Sequence, residues 1–562
     1  MLFRGKENLY INPNILFLFM IMENEKSRIG FVSMEVLISD LRNYAGGLGI
    51  LAGGLFSAAR DIRYPMTGFT LVYKKGYVKN RIQNGEIIFE EDPFDPEEFF
   101  IKIKRKFCID LENMKIWFQA WKYNLSDDVE VYFIDTDIEE NDEKIRRLSD
   151  RVYIDRDKEE FILKRILLGL GTLKIVDELN LPIKKFHLNE SHCVFLAIEL
   201  LKRYQNIEKT KNKIIFTSHT PLPHGHEVYE YEHVEKYYKV PDIIKSISPE
   251  KLHTTLVLLK LSSYKNCVSW KHWLIIKKMF HDEDIDYITN GVHTKWIEQP
   301  MRILYDKYIP RWFHHPEKFV YAGNIDLEEL KEAKQIIKKK LINVINSEAI
   351  YNKRFDKTSI LLVLRRRITG YKRNDIVFKD IERIEEISKR YKVQVLVSGT
   401  LHPHDNSGKK ILKYLLDIMP TLNHSKLAIL LKNGKPYERI AVSGGDLFIH
   451  SPIPPYEACG TSWMRASLNA VPVLSSKDGG TLEAIVDGYN GWFFGKNILN
   501  PEEFNEKEDI KDFYDKLEEI LKLYREREHE YLQIGRNALK VVGSLFNTHR
   551  TLTEYIKRAY EK

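Results

Sequence analysis

Short β-branched runs alternate with amphipathic helical stretches along most of this 562-residue chain. That alternation restricts the fold to α/β architecture with parallel sheets, because a parallel neighbour is reached only through a crossover, usually a helix. The first half predicts strands at Ile29–Ser33, Val129–Ile134, Lys185–Leu188 and Lys213–Phe216, with helical periodicity over Glu160–Leu179 and His192–Tyr204. The second half predicts strands at Ile360–Leu364, Val393–Ser398, Leu427–Leu431, Leu447–His450 and Val471–Leu474. A Lys/Glu-rich helical passage from about Leu327 to Lys353 separates the two sets, and a charged helical region runs from about Pro501 to the end. A chain of this length exceeds what one core supports, so two large domains are expected.

Composition narrows the function classes. The net charge of +7 is a small excess of 87 basic over 80 acidic side chains. No Lys/Arg block interleaved with aromatics marks a nucleic-acid surface. Cys108, Cys193, Cys267 and Cys459 are scattered, with no C-x-x-C pair, which predicts a reduced, cytoplasmic protein without a zinc site. The apolar stretch Ile15–Met22 is too short to span a bilayer and lacks a cleavage site, so neither a membrane anchor nor a signal peptide is expected. It reads as an extra strand or as an upstream extension preceding a true start at Met20 or Met22.

Several motifs fall at predicted strand ends, where open α/β sheets gather ligands. Asn43–Gly54 packs in Gly46, Gly47, Gly49, Gly53 and Gly54 ahead of a helical pattern. Such a stretch is either an anion cradle at a helix N-terminus or a tight, closely packed turn. Asn189-Glu190-Ser191-His192 places convergent polar groups at one sheet edge, as a sugar requires, or else caps a helix. His219 follows a strand in a loop stiffened by Pro221 and Pro223, and Asn290-Gly291-Val292-His293 precedes Trp296. Arg367-Ile368-Thr369-Gly370-Tyr371-Lys372-Arg373 sets two cations a short loop apart, a phosphate clamp or a solvated basic loop.

The segment Glu457-Ala458-Cys459-Gly460-Thr461-Ser462-Trp463-Met464-Arg465 resembles the cofactor-bearing stretch of the α-glucan (glycogen, maltodextrin) phosphorylases, short type. The glycine loop, His187-Leu188-Asn189-Glu190-Ser191-His192, the loop at His219, Asn290-Gly291-Val292-His293 and the Arg367–Arg373 stretch resemble the same family, so the likeness covers roughly Ile29–Gly495. It implies two Rossmann-like domains facing a cleft, the GT-B arrangement, with a C-terminal helix crossing back. The expected divisions are an extension over 1–28, a glucan-side domain over 29–325, a donor-side domain over 326–545, and the returning helix over 546–562. It further implies retaining hexosyl transfer on α-1,4-glucan, with Arg367, Lys372 and His219 catalytic. Gly46, Gly47, Gly49, Asn189, His192, Asn290, Glu457, Gly460 and Thr461 would contact substrate.

Two departures stand out. The family carries a lysine where this chain has Arg465, and that lysine holds pyridoxal phosphate as a Schiff base. A guanidinium stays protonated and is not an amine nucleophile, so pyridoxal phosphate is expected from the family but its covalent attachment is expected to be absent. Thr400, in Gly399-Thr400-Leu401-His402-Pro403, replaces a second lysine. Downstream, Gly479-Gly480-Thr481-Leu482-Glu483 is similar to nucleotide-sugar transferases instead. Three readings follow: glucan phosphorolysis with an altered cofactor site, a nucleotide-sugar glycosyltransferase, and an inactive glucan-binding homologue. The expected partners are an α-glucan or oligosaccharide with phosphate, glucose 1-phosphate or a nucleotide sugar; the oligomeric state is left open.

Overall fold

The computed structural model describes residues 27–39, 41 and 43–562; Ile15–Met22 lies outside them. Two sheets organise the chain. The first contains β1 (Arg28–Ser33), β2 (Met66–Leu71), β3 (Ile101–Asp110), β4 (Lys115–Asn124), β5 (Val129–Asp135), β6 (Ile183–Asn189), β7 (Ile214–Thr217), β8 (Tyr264–Cys267) and β9 (Asp286–Tyr287), in the spatial order β9-β8-β7-β6-β1-β2-β5-β4-β3. All neighbours from β9 to β5 are parallel, and β4 and β3 close that edge antiparallel. The second sheet contains β10 (Ile350–Tyr351), β11 (Ile360–Arg365), β12 (Val393–Ser398), β13 (Lys426–Leu430), β14 (Leu447–His450), β15 (Val473–Ser476) and β16 (Trp492–Phe494), ordered β10-β13-β12-β11-β14-β15-β16. It is parallel except for β10. β2, β5, β11 and β12 are buried along their whole length, as strands covered by helices on both faces must be.

The chain order shows where ligands belong. From β1 the first sheet grows one way through β2 and then returns to the other side of β1 at β6. From β11 the second grows through β12 and returns at β14. Crevices open at such reversals, outside the carboxyl ends of the strands. In this chain those ends are Ser33 and Asn189 in one sheet and Arg365 and His450 in the other.

Helix α1 (Gly47–Ile62) starts in the glycine loop and ends at Arg63 in the left-handed region. Helix α2 (Leu327–Glu348) is started by Asp326, whose carboxylate accepts the N–H groups of Glu328 and Glu329, and it leads into the second sheet. It stops at Glu348, short of the expected Lys353, because Ile350–Tyr351 pairs as an edge strand with β13. Further on come α3 (Lys435–Ser443), α4 (Ser462–Ser467), α5 (Glu506–Glu526), α6 (Glu528–Ala538) and α7 (Thr548–Tyr555). The C-terminal segment crosses back to the first sheet. Leu552, Tyr555, Ile556 and Tyr560 share one core with Ile29, Phe31 and Phe56. Tyr560 Oη lies 2.7 Å from His187 Nδ1, and Asn266 donates to Tyr555 Oη at 3.1 Å.

Asp61 on α1 clamps this crossing: its Oδ2 lies 3.0 Å from His293 Nε2 and 3.2 Å from His549 Nε2. Such a trio resembles a metal ligand set. However, His293 Nδ1 accepts the N–H of Lys295 at 3.0 Å, so Nε2 carries the ring proton and donates it to Asp61. A metal would need that lone pair free, so the trio is a hydrogen-bonded clamp. Among the described residues, no helix is long and apolar enough to cross a membrane.

Candidate active site

The two strand-end crevices face each other across a cavity of about 570 Å³. Arg365, Arg366, Arg367, Lys372 and Arg465 line it against the carboxylates of Glu35, Glu438 and Glu457, so it has a cationic excess. Of the residues expected to form the site, Gly46, Gly47, His192, His219, Asn290, Arg367, Lys372, Glu457, Gly460, Thr461 and Arg465 all line this cavity. Gly49 and Asn189 do not, and both stand one layer behind it.

Gly46 and Gly47 open α1 towards the cavity, and a Cβ on Gly47 would meet only Thr461 Oγ1 of the opposite wall, at 3.9 Å. A sixteen-residue helix aims the positive end of its dipole there. Behind the loop, Glu35 accepts hydrogen bonds from the Ala45 N–H and, at 3.1 Å, from the Gly46 N–H. A Cβ on Gly49 would stand 2.5 Å from Tyr44 Cβ and 3.0 Å from Glu35 Oε2, so this glycine makes room for the carboxylate. Burial pushes the Glu35 carboxyl up, against those N–H groups and Arg367, which pull it down.

Asn189, at the end of β6, orients His219. Its Nδ2 donates to Ser33 Oγ at 3.1 Å, which turns its Oδ1 to His219 Nε2 at 2.8 Å. His219 Nε2 therefore carries the proton, and Nδ1 is the acceptor. Burial holds the His219 ring well below the usual histidine range, so it is neutral at neutral pH. The His192 ring is also pushed down by burial, and its Nδ1 is buried without a partner. Asn290 Oδ1 is likewise buried and unpartnered.

On the second wall, β11 ends at Arg365 and the chain continues through Arg366 and Arg367. Arg366 pairs with Glu457, and Lys372 Nζ lies 2.9 Å from Glu457 Oε2. The Glu457 N–H donates to Asp478 Oδ2 at 2.8 Å. Burial would raise the Glu457 carboxyl, but Lys372 and Arg366 override it and hold it well below the ordinary range. Glu457 is thus a fixed carboxylate and Lys372 is tied to it, while Arg367 is exposed in the cleft. Gly460 takes φ +74°, and a Cβ there would meet His450 Nε2 at 2.7 Å, so the turn into Thr461 and α4 requires glycine.

Arg465 is buried, 5% exposed. Its Nη1 donates to Glu438 Oε2 at 2.8 Å, and its guanidinium lies over the Trp296 ring, 4.5 Å from the centroid. Glu438 Oε1 accepts the Tyr44 hydroxyl at 2.8 Å and faces Arg365 Nη2 at 3.4 Å. The Glu438 carboxyl, raised by burial but lowered more by Arg365 and Arg465, stays below its ordinary range. Arg465 Nε and Arg366 Nη1 are buried with no protein acceptor. Sequence reasoning missed Glu35, Arg365, Arg366 and Glu438. The strand-end rule could have found the first three, which lie within two residues of the ends of β1 and β11; no local signal marks Glu438.

Glu483, which gave the nucleotide-sugar likeness, is not at the cavity. Its carboxylate accepts the Trp270 N–H at 2.9 Å and the Thr289 hydroxyl, bracing the two halves against each other.

Comparisons with known proteins agree with this architecture. Residues 346–531 match the family model described as glycosyl transferases group 1. Glycogen phosphorylase of Aquifex aeolicus is 31% identical over 96% of this chain and 86% of its own length. Maltodextrin phosphorylase of Thermococcus litoralis is 30% identical over 98% of this chain and 73% of its own. An uncharacterised protein of Methanocaldococcus jannaschii is 27% identical over 94% and 99%. With its GT-B fold, this chain is an enzyme of the glycosyltransferase type and belongs to the glycogen/maltodextrin phosphorylase family.

Proposed function

We propose that the protein transfers a hexosyl unit, with retention, between the end of an α-1,4-glucan and phosphate, giving glucose 1-phosphate. Residues 29–325 hold the glucan and 326–545 hold the anion. The observation that carries this reading is the pairing of two strand-end crevices around one cationic cavity. The fixed carboxylate of Glu457 and the neutral ring of His219 supply acceptors for sugar hydroxyls. Arg366, Arg367 and the N-terminus of α1 supply preorganised donors for the charge that develops on phosphate in the transition state.

The residues present do not fit a Schiff-base-linked pyridoxal phosphate. Among the described residues, Lys372 is the only lysine lining the cavity, and its ammonium is held by Glu457. Arg465 and Thr400, which by their flanking motifs correspond to the two lysines of the family resemblance, both line the cavity. The cationic wall suits free phosphate groups, and no step is assigned to a covalent cofactor.

The test is maltodextrin incubated with phosphate and assayed for glucose 1-phosphate, with the reverse reaction from glucose 1-phosphate, UDP-glucose or ADP-glucose. Glucose 1-phosphate should support extension, and Arg367→Ala or Lys372→Ala should abolish it without changing the circular dichroism spectrum. Extension only from a nucleotide sugar would favour the glycogen-synthase-like alternative. Failure of every donor would favour an inactive glucan-binding homologue.

A further inference from the structure

A second cationic cavity, of about 670 Å³, lies at the opposite end of the second sheet from the catalytic cavity. One wall is a face of α2 carrying Lys331, Lys334 and Lys338, at the spacing that stacks side chains along a helix, with Lys339 beside them. The other wall is Lys357, just before β11, with Asp446 at the start of β14 and Glu528 at the start of α6. Tyr524 and Tyr531 pack edge-on there, ring centroids 4.8 Å apart. No residue lines both cavities.

The charges are not balanced within the cavity. Lys331 Nζ is 2.7 Å from Glu528 Oε2, and Lys338 Nζ is 2.6 Å from Asp446 Oδ2. Asp446 is largely engaged, because it also accepts the Leu361 N–H at 2.7 Å and the Tyr524 hydroxyl at 3.2 Å. Lys334 Nζ has only the Ala470 carbonyl, at 3.0 Å, and no carboxylate in contact. Among the described residues, the Lys339 and Lys357 side chains make no hydrogen bond or ion pair; Glu332 is the remaining acid of the lining. Three ammonium groups on two walls thus have one lining carboxylate, Glu332, left to offset them. Burial, offset by Asp446 and reinforced by Lys338, pulls the Lys334 ammonium down to about 8. An anion entering here relieves that cost.

We propose that this cavity binds a small phosphate monoester, with Lys334, Lys339 and Lys357 as its cationic contacts. A phosphate presents three acceptor oxygens, enough to bridge α2 and the Lys357 loop at once, and the volume accommodates an attached sugar-sized body. The site is independent of the transfer reaction proposed above.

The experiment reads the site directly. The full chain is labelled with acetic anhydride at pH 6.5 to 9.5, and acetylation at each lysine is followed by peptide mass spectrometry. The Lys334 amine attacks the anhydride carbonyl, acetate leaves, and the ammonium proton passes to buffer. Lys334 should become reactive with a midpoint near pH 8. Glucose 6-phosphate should slow its labelling at least fivefold, with glucose at equal ionic strength as control. Inorganic phosphate is a separate arm, and equal protection by it would reduce the ligand to the anion alone. Lys357→Gln combined with Lys339→Gln should remove the protection while leaving Lys334 reactive. Protection absent in the natural protein, or unchanged in the double variant, overturns the proposal whatever the transfer assay shows.

Discussion

Glu438→Gln tests whether the Arg465 position is a built ion cluster. The substitution keeps the shape of the side chain and removes its charge. Arg365 and Arg465, each 5% exposed, would then lose the carboxylate between them. Arg365 would keep Asn433 Oδ1 at 3.3 Å, and Arg465 the indole of Trp296. Removing one partner of a buried ion pair costs ~3–5 kcal/mol, because the other charge is left uncompensated. At ~2–4 °C per kcal/mol for domains of 150–250 residues, Tm should fall on the order of 10 °C. The same change creates two unmatched guanidiniums facing the cavity, so phosphate should stabilise the variant more than the natural protein. A phosphate concentration of ~100 times Kd restores ~2.7 kcal/mol. The assay is thermal unfolding followed by tryptophan fluorescence, with and without phosphate. A melting point within ~2 °C of the natural protein, or equal phosphate shifts in both, would refute the cluster as described; the stated slope makes ~2 °C less than 1 kcal/mol.

Three further outcomes follow from the same structure. The purified protein should lack the absorbance of an internal aldimine; a borohydride-sensitive band traced to a lysine in the cavity would contradict this. Arg465→Lys alone should form little aldimine with added pyridoxal phosphate, since a carboxylate at the Glu438 position keeps a new ammonium protonated; adding Glu438→Gln should increase the band. At the C-terminal crossing, burial pulls the His187 ring down to about 3, while unfolding returns it to its ordinary value of 6.5. The unfolded state therefore binds the extra proton between those values, and His187 contributes stability that is present above pH ~6.5 and lost as pH falls towards ~3. His187→Gln should flatten that acid limb in pH-dependent denaturation; an unchanged slope would remove His187 from the account.

Individual strands were legible where their runs are continuously apolar. Val393–Ser398 and Leu447–His450 were read to the residue, and β15 starts two residues late because Pro472 offers no N–H to the ladder. β2 escaped although it is central. Gly68 breaks its apolar run, and a Cβ there would meet Phe56 at 2.5 Å, so the residue that hides the strand is the one that lets α1 pack on it. In the site, residues inside compact motifs were legible because loop chemistry is local. The cluster around Arg465 was not: Tyr44 and Glu438 are 394 positions apart.

That distance in sequence bears on what Arg465 means. A guanidinium set into a pocket shaped for a lysine would leave a planar buried charge with neither a counter-ion nor a surface to stack on, at a cost of several kcal/mol. Arg465 has both, a carboxylate at 2.8 Å and an indole face, and the carboxylate is itself shared with Arg365 and Tyr44. Four side chains from both halves of the molecule thus agree on an arginine at this place. Agreement across separate elements is what a sequence shows when a site is specified rather than decayed. The two buried N–H groups left over, on Arg465 and Arg366, need acceptors that the protein does not provide. Oxygens of a bound anion would meet that need, and the cavity that both residues line is where they would enter.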